Sequence, residues 1–321
     1  MKIIKALFAA CTVAAACAAM GADAPAYPSR PVRLIVPFPA GSATDLAARL
    51  VGQQLQQITG QAFVVDNKPG ANGSIAGLEV VRAPADGYTL LFSSNSAVAA
   101  NVALLKSMPY DPLKDFTPVA GVGESPLVLM VRGDSPITSL KELVETARRQ
   151  PGKLSSGHGS SSSQVCAAML NRLGGLDTLQ VPYKGIPLAL SDVIGGTVDF
   201  AFADMGNAIA QAKGGKLRAL AVTTPKRSPV MPDWPAIAET FPGFSIKGWF
   251  AIVGPAGLPR PVVDKLSTDT LKVVNGRELR ERFASLGLAP MPMDAAQLRD
   301  YLVSEIATWK RLVVEANLQP E

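Results

Sequence analysis

The ten residues Val36-Pro37-Phe38-Pro39-Ala40-Gly41-Ser42-Ala43-Thr44-Asp45 lead from a β-rich apolar run through a proline-glycine turn into a helical pattern. Residues 32–38 read as a buried strand, and over residues 45–58 Leu46, Ala47, Leu50, Val51, Leu55 and Ile58 fall at helical spacing. A strand feeding a helix through a tight loop is the repeating unit of α/β folds. The first helical turn leaves backbone N–H groups without intrahelical partners, and the helix dipole adds partial positive charge, so an anion fits there. Open α/β sheets bind ligands at this end of their strands. The same residues also fit an ordinary connector, with Ser42 or Thr44 as N-cap and Asp45 as a dipole-favoured first-turn residue.

Outward from this unit the alternation continues. Residues 62–66 read as a second strand, 74–83 as a helix and 88–93 as a third strand ending at Ser93. These runs, apolar on both faces, predict a buried parallel sheet. Beyond a connector holding Pro109, Pro112 and Pro118, residues 127–131 read as a strand and 140–149 as a helix. A second set follows, with helices over 164–173, 189–194 and 208–213 and strands over 179–182, 198–203 and 217–222. Residues 249–253 read as one more strand, and 262–275, 277–286 and 295–316 as a helical tail. The pattern predicts an α/β protein of two lobes whose chain crosses between them near residues 124–129 and 245–250. Lobe I takes residues 25–125 plus 248–321, and lobe II takes 126–247.

At the N-terminus, Lys2 and Lys5 precede an apolar, alanine-rich run over residues 6–20, the pattern of an export signal peptide over residues 1–24, cut between residues 18 and 26. The run is too short for a membrane anchor of about 20 apolar residues plus flanks. Cys17 follows Ala14-Ala15-Ala16, which lacks the large aliphatic residue of a lipid-attachment site, so the mature chain is expected to be soluble in the periplasm. It keeps one cysteine, Cys166, and therefore no internal disulfide. About 295 residues suffice to build a core without one. The net charge is +5 over the whole chain and +3 without Lys2 and Lys5, and basic residues are scattered, so nucleic-acid binding has little support.

Two further strand-to-helix mouths stand out. Ser155-Ser156-Gly157-His158-Gly159-Ser160-Ser161-Ser162-Ser163-Gln164 precedes a helix in the second lobe, where hydroxyls and free amides would grip a polar solute without charge. Tyr183 and Lys184 leave another strand end, and Asp204 closes a third. Solvated loops and helix capping account for the same residues equally simply. For catalysis there is little material. The single histidine, His158, lies between glycines, no G-x-S-x-G surrounds a serine, and no phosphate-binding or zinc-binding spacing occurs. No cofactor and no metal are expected.

In family order the chain carries Tyr27-Pro28-Ser29-Arg30-Pro31 with residues 36–45, Asp66-Asn67-Lys68-Pro69-Gly70-Ala71, Asp86-Gly87-Tyr88-Thr89-Leu90 and Tyr110-Asp111-Pro112 with Asp115-Phe116. It continues with Pro151-Gly152-Lys153, residues 181–185, Gly214-Gly215-Lys216-Leu217-Arg218-Ala219-Leu220-Ala221, and Gly248-Trp249-Phe250 before Pro255-Ala256-Gly257. In these segments the chain resembles the Bug, or TctC-like, family of periplasmic solute-binding components of tripartite tricarboxylate transporters, over essentially all of its mature length. The resemblance implies a type II periplasmic-binding-protein fold with a ligand cleft between the lobes and a helical C-terminal segment. It implies capture of a small carboxylate: a di- or tricarboxylate, an acidic amino acid or an aromatic carboxylate. Membrane transporter subunits would be the partners, and the protein is expected to act as a monomer. Ligand contacts would come from Phe38, Pro39, Ala40, Gly41, Ser42, Ala43, Thr44 and Asp45, from Ser93, and from Ser160, Ser161, Ser163, Gln164, Tyr183, Lys184 and Asp204. Three departures fall on these positions: Gly41-Ser42 replaces paired glycines, Ser163 and Gln164 replace a common histidine, and Asp204-Met205 replaces aspartate-asparagine. A sensor component presenting its ligand to a receptor, and a hydrolase built on Ser160 and His158, are the competing readings.

Overall fold

The computed structural model describes residues 27–320, so the signal-peptide assignment lies outside the described residues. The first unit runs β1 (Val32–Val36), α1 (Ala43–Thr59), β2 (Phe63–Asn67), α2 (Ser74–Val81) and β3 (Thr89–Ser94). Strand β1 pairs in parallel with β2 and β3. Helix α1 buries Ala47, Ala48, Val51 and Leu55 completely. Burying side chains of this kind stabilises by roughly 25 cal/mol per Å² of apolar surface. Ser42 caps the start of α1 by accepting from Asp45 N, and Gly60, at φ 73°, ends it in the left-handed conformation.

A π-type turn at Ser96–Ala100 and a short helix α3 (Asn101–Leu104) lead to β4 (Phe116–Arg132), a 17-residue strand. The second unit follows with α4 (Leu140–Arg149), β5 (Ser155–His158), α5 (Ser161–Gly174), β6 (Leu179–Pro182), α6 (Ile186–Gly195), β7 (Phe200–Asp204), α7 (Met205–Lys213) and β8 (Leu217–Val222). The chain returns through β9 (Lys247–Pro255) and ends with α8 (Arg260–Asn275), α9 (Arg277–Ser285), β10 (Ala289–Met293) and α10 (Ala295–Glu315).

The strand order is β2-β1-β3-β9-β4-β7-β5-β6, with β8 and β10 also on β4. Strand β4 is shared. Its first part pairs antiparallel with β9, from Phe116 opposite Pro255 to Pro126 opposite Lys247, and its last part pairs with β7 and β8. The parallel sheet expected of the first three strands is present, and each half has such a parallel block (β1 with β2 and β3; β5 with β6 and β7) closed by antiparallel pairing to β4 and β9. The run from Phe116 to Pro126, read as a connector because of its prolines, is strand; Pro118 sits at a register shift, where a missing N–H is tolerated. Ser155–His158 is likewise a strand rather than part of a loop. Strands β6 and β7 flank it and take up its backbone groups, though none of its side chains favours a strand. Two strands, β4 and β9, thus join the halves, and the ends of β3, β5 and β7 lie beside that junction.

Candidate functional site

Three mouths meet in one cavity. The loop after β1 contributes Phe38, Ser42 and Thr44; the end of β3 contributes Ser94, Asn95 and Ser96; the turn into α5 contributes Gly159, Ser160 and Ser162. Asp204, Leu127, Ile186, Gly248 and Phe250 complete the wall. The lining holds no lysine, arginine or histidine, and Asp204 is its one acidic side chain. Its room is ≈ 30 Å³, about that of two waters, so the halves are drawn together here.

Side-chain hydrogen bonds draw them together. Asn95 Nδ2 donates to Ser162 Oγ at 3.0 Å, Ser161 N to Ser96 Oγ at 3.2 Å, Ser161 Oγ to Asn101 Oδ1 at 3.1 Å, and Asn72 Nδ2 to Ser161 Oγ at 2.7 Å. On the far side of the cleft, Asn207 Nδ2 donates to Gly41 O at 3.3 Å. Gly185 lies so near Pro39 that a Cβ on it would stand 2.4 Å from Pro39 Cδ.

The loop after β1 is braced from behind. Asp45 is buried, and its Oδ2 accepts from Gly41 N at 3.0 Å while Oδ1 accepts from Arg49 Nε at 3.0 Å and Asn67 Nδ2 at 2.9 Å. Burial pushes its carboxyl up, but the bonds from Arg49, Gly41 and Asn67 together outweigh burial and hold it below the usual value. Asp45 therefore shapes the mouth and is absent from the cavity lining. Gly41 turns the loop at φ 82°, a conformation that favours glycine, whereas Ser42, where paired glycines were expected, caps α1.

The second-lobe mouth is built in the same way. Ser160 caps α5, and Ser163 Oγ accepts from Gly159 N at 3.1 Å and Ser160 N at 3.0 Å. Ser161 and Ser163 thus serve the cleft contact and the turn. Ser160 and Ser162 line the cavity, and Ser162 was not among the expected contacts. Ser93 is buried with its hydroxyl donating to Ser94 O, and its neighbours Ser94, Asn95 and Ser96 stand at the wall instead. Their position just past a strand end is the signal that could have found them. Tyr183, Lys184 and Gln164 line a separate groove with His158 and Asn72, which touches the cavity lining only at Gly159 and Ser160. Tyr183 Oη donates to Asp192 at 2.6 Å.

Asp204 ends β7 at the N-cap of α7 yet makes no capping bond. Its carboxylate faces the Ala43 N–H in the first turn of α1 across the cleft, and also Asn207, and both favour its ionised form. Burial nevertheless pushes this carboxyl up to about 6, against both of these groups. In the neighbouring groove, His158 is pushed down to about 4 by burial and is neutral near pH 7. Ser160 Oγ is taken up with Ser163, so the geometry gives no activated serine.

The profile of the tripartite tricarboxylate transporter family receptor, TctC, matches residues 47–318. The chain belongs to the TctC family. Among TctC-family relatives, BugT of Bordetella pertussis is 35% identical over 309 residues, 94% of each chain. The solved periplasmic binding protein BugD superposes with a TM-score of 0.88 at 33% identity, covering 92% of this chain and all of that one. R. palustris Rpa4515 with adipate gives 0.89 at 32% identity, over 92% of this chain and all of that one. MatC of Rhodopseudomonas palustris with bound malate gives 0.84 at 32%, over 89% and 100%. The fold is thus the two-lobed one of periplasmic binding proteins, and the TctC-family chain presents its cavity where the lobes meet. Among the described residues no helix is long and apolar enough to cross a membrane.

Proposed function

We propose that this protein is an extracytoplasmic receptor that captures one small carboxylate between its lobes and hands it to transporter subunits in the membrane. The observation that carries the reading is the convergence of the α1 and α5 first turns and the β3 end on a cavity without cations. Such a wall grips an anion through backbone N–H groups, hydroxyls and an amide rather than through ion pairs. Relatives holding adipate and malate support a carboxylate as cargo. Contacts come from Phe38, Ser42, Thr44, Ser94, Asn95, Ser96, Ser160, Ser162 and Asp204. Among the described residues, the moving bodies are residues 27–125 with 248–320 and residues 126–247, and they hinge where β4 and β9 cross. The role is binding without turnover, since His158 and Ser160 are not arranged to make a nucleophile.

Thermal unfolding of the ligand-stripped protein against mono-, di- and tricarboxylates and acidic amino acids tests the reading. A cargo at about 100 times its dissociation constant adds about 2.7 kcal/mol of stability. A saturable rise with one carboxylate is expected. No rise across the panel, with the protein folded, contradicts it.

A further inference from the structure

The chain's own carboxylate, Asp204, lines the same cavity as Ser42 and Thr44 at the start of α1. Asp204 faces the Ala43 N–H across the cleft, and the cavity around it has no cationic side chain. A solute carboxylate seated at α1 competes with Asp204 for that N–H. It also brings a second negative charge into a space of ≈ 30 Å³ before the lobes part. Two carboxylates at such range do not both stay ionised.

We infer that the site captures a carboxylate together with one proton, which Asp204 holds. This rests on the reading of the protein as a carboxylate receptor. Geometry gives the direction: Asp204 is the one acidic side chain in a cavity without cations, so capture adds a like charge beside it, and competition for the Ala43 N–H acts the same way; both changes favour the acid. The protonated acid can then donate to the solute, turning a repulsive wall into a hydrogen bond. The carboxyl is already pushed up to about 6 by burial, so the proton is taken from solvent near neutral pH.

No other group around Asp204 is placed to supply this proton linkage. On the α1 side Asp45 is committed to Gly41, Arg49 and Asn67. On β5, His158 is pushed down to about 4 by burial, and on α5 burial pushes the Cys166 thiol up, so both are neutral. On α6, Asp192 is taken by Tyr183. On α7 the facing group is the Asn207 amide. Where β4 meets β9, Glu124 is paired with Lys247. Leu127, opposite Asp204 on β4, carries no charge.

Calorimetric titration with acetate, malate, adipate and glutamate, run from pH 6.5 to 8.5 in buffers of different ionisation enthalpy, tests the inference. Uptake of up to one proton per carboxylate bound is expected, with affinity falling by up to tenfold per pH unit as pH rises above 6. Asp204→Asn, which resembles the protonated acid, should bind with neither proton uptake nor that pH slope. Binding with no proton uptake, or an Asp204→Asn protein that keeps the slope, overturns the inference and leaves the receptor reading intact. No binding of any of the four by the wild type overturns both.

Discussion

Asn95 on the first lobe donates to Ser162 on the second at 3.0 Å, and both side chains are buried. This bond forms only when the lobes are together, so it stabilises the closed form relative to the open one. Ser162→Ala leaves the Asn95 amide without that acceptor in the closed form, at a cost of about 1–3 kcal/mol. Titration of the variant with the cognate carboxylate should show affinity weaker by roughly tenfold or more, at about 1.4 kcal/mol per factor of ten. Unchanged affinity would mean that the contact does not hold the closed state.

Asp204 in the cavity wall and Asp45 behind the β1–α1 loop act in opposite directions on stability. Asp45 has its folded pKa below the ordinary value, so its contribution is present above the unfolded pKa of 3.8 and is lost as pH falls through the folded value. Asp204 has its folded pKa raised to about 6, so it destabilises the fold progressively as pH rises from about 4 to 6. Asp45→Asn should therefore lower the unfolding midpoint at pH 7.5, by an amount equivalent to about 1–2 kcal/mol. Asp204→Asn should raise it by on the order of 1 kcal/mol at pH 7.5 and not at pH 4. Midpoints of both variants measured at pH 4 and 7.5 check the signs.

Glu305 on α10 gathers two indoles. Its Oε2 accepts from Trp249 Nε1 at 2.6 Å and Trp309 Nε1 at 3.1 Å, and both rings are buried. Trp249 lies on β9, one of the two strands joining the lobes, so this contact ties the C-terminal helix to the hinge. Glu305→Ala leaves two buried donors unpaired and should destabilise by about 2–4 kcal/mol. A chemical-denaturation midpoint within error of the wild type would remove Glu305 from this role.

Element order was legible where periodicity is strong: α4, β6 and β8 fall residue for residue on the spacing argument. The strands that escaped it have physical reasons. Ser155–His158 contains no residue with strand preference and is a strand because β6 and β7 flank it. Residues 116–126 are interrupted by prolines that the sheet accommodates at a register shift and at the end of pairing. At the site, the loops were legible as strand ends above helix starts, but not which of their side chains face the cleft. Asp45 and Ser163 are polar, yet their hydrogen bonds brace their own loops, and those of Ser161 reach across the cleft to Asn72 and Asn101. Asn95 and Ser162 meet across 67 residues, a pairing that no local pattern records.

Gly185 tests the central claim, that a carboxylate is held between the closing lobes, most directly. A Cβ there would stand 2.4 Å from Pro39 Cδ across the cleft, so Gly185→Ala props the lobes apart without adding an atom to the cavity lining. Its φ of 178° is extended backbone open to any residue, and the variant should fold. The measurement is a side-by-side calorimetric titration of wild type and Gly185→Ala with the carboxylate that stabilises the wild type. One-to-one binding by the wild type, weakened at least tenfold in the variant, is the expected result. Equal affinity in the two proteins would place the carboxylate outside the cleft and contradict the account.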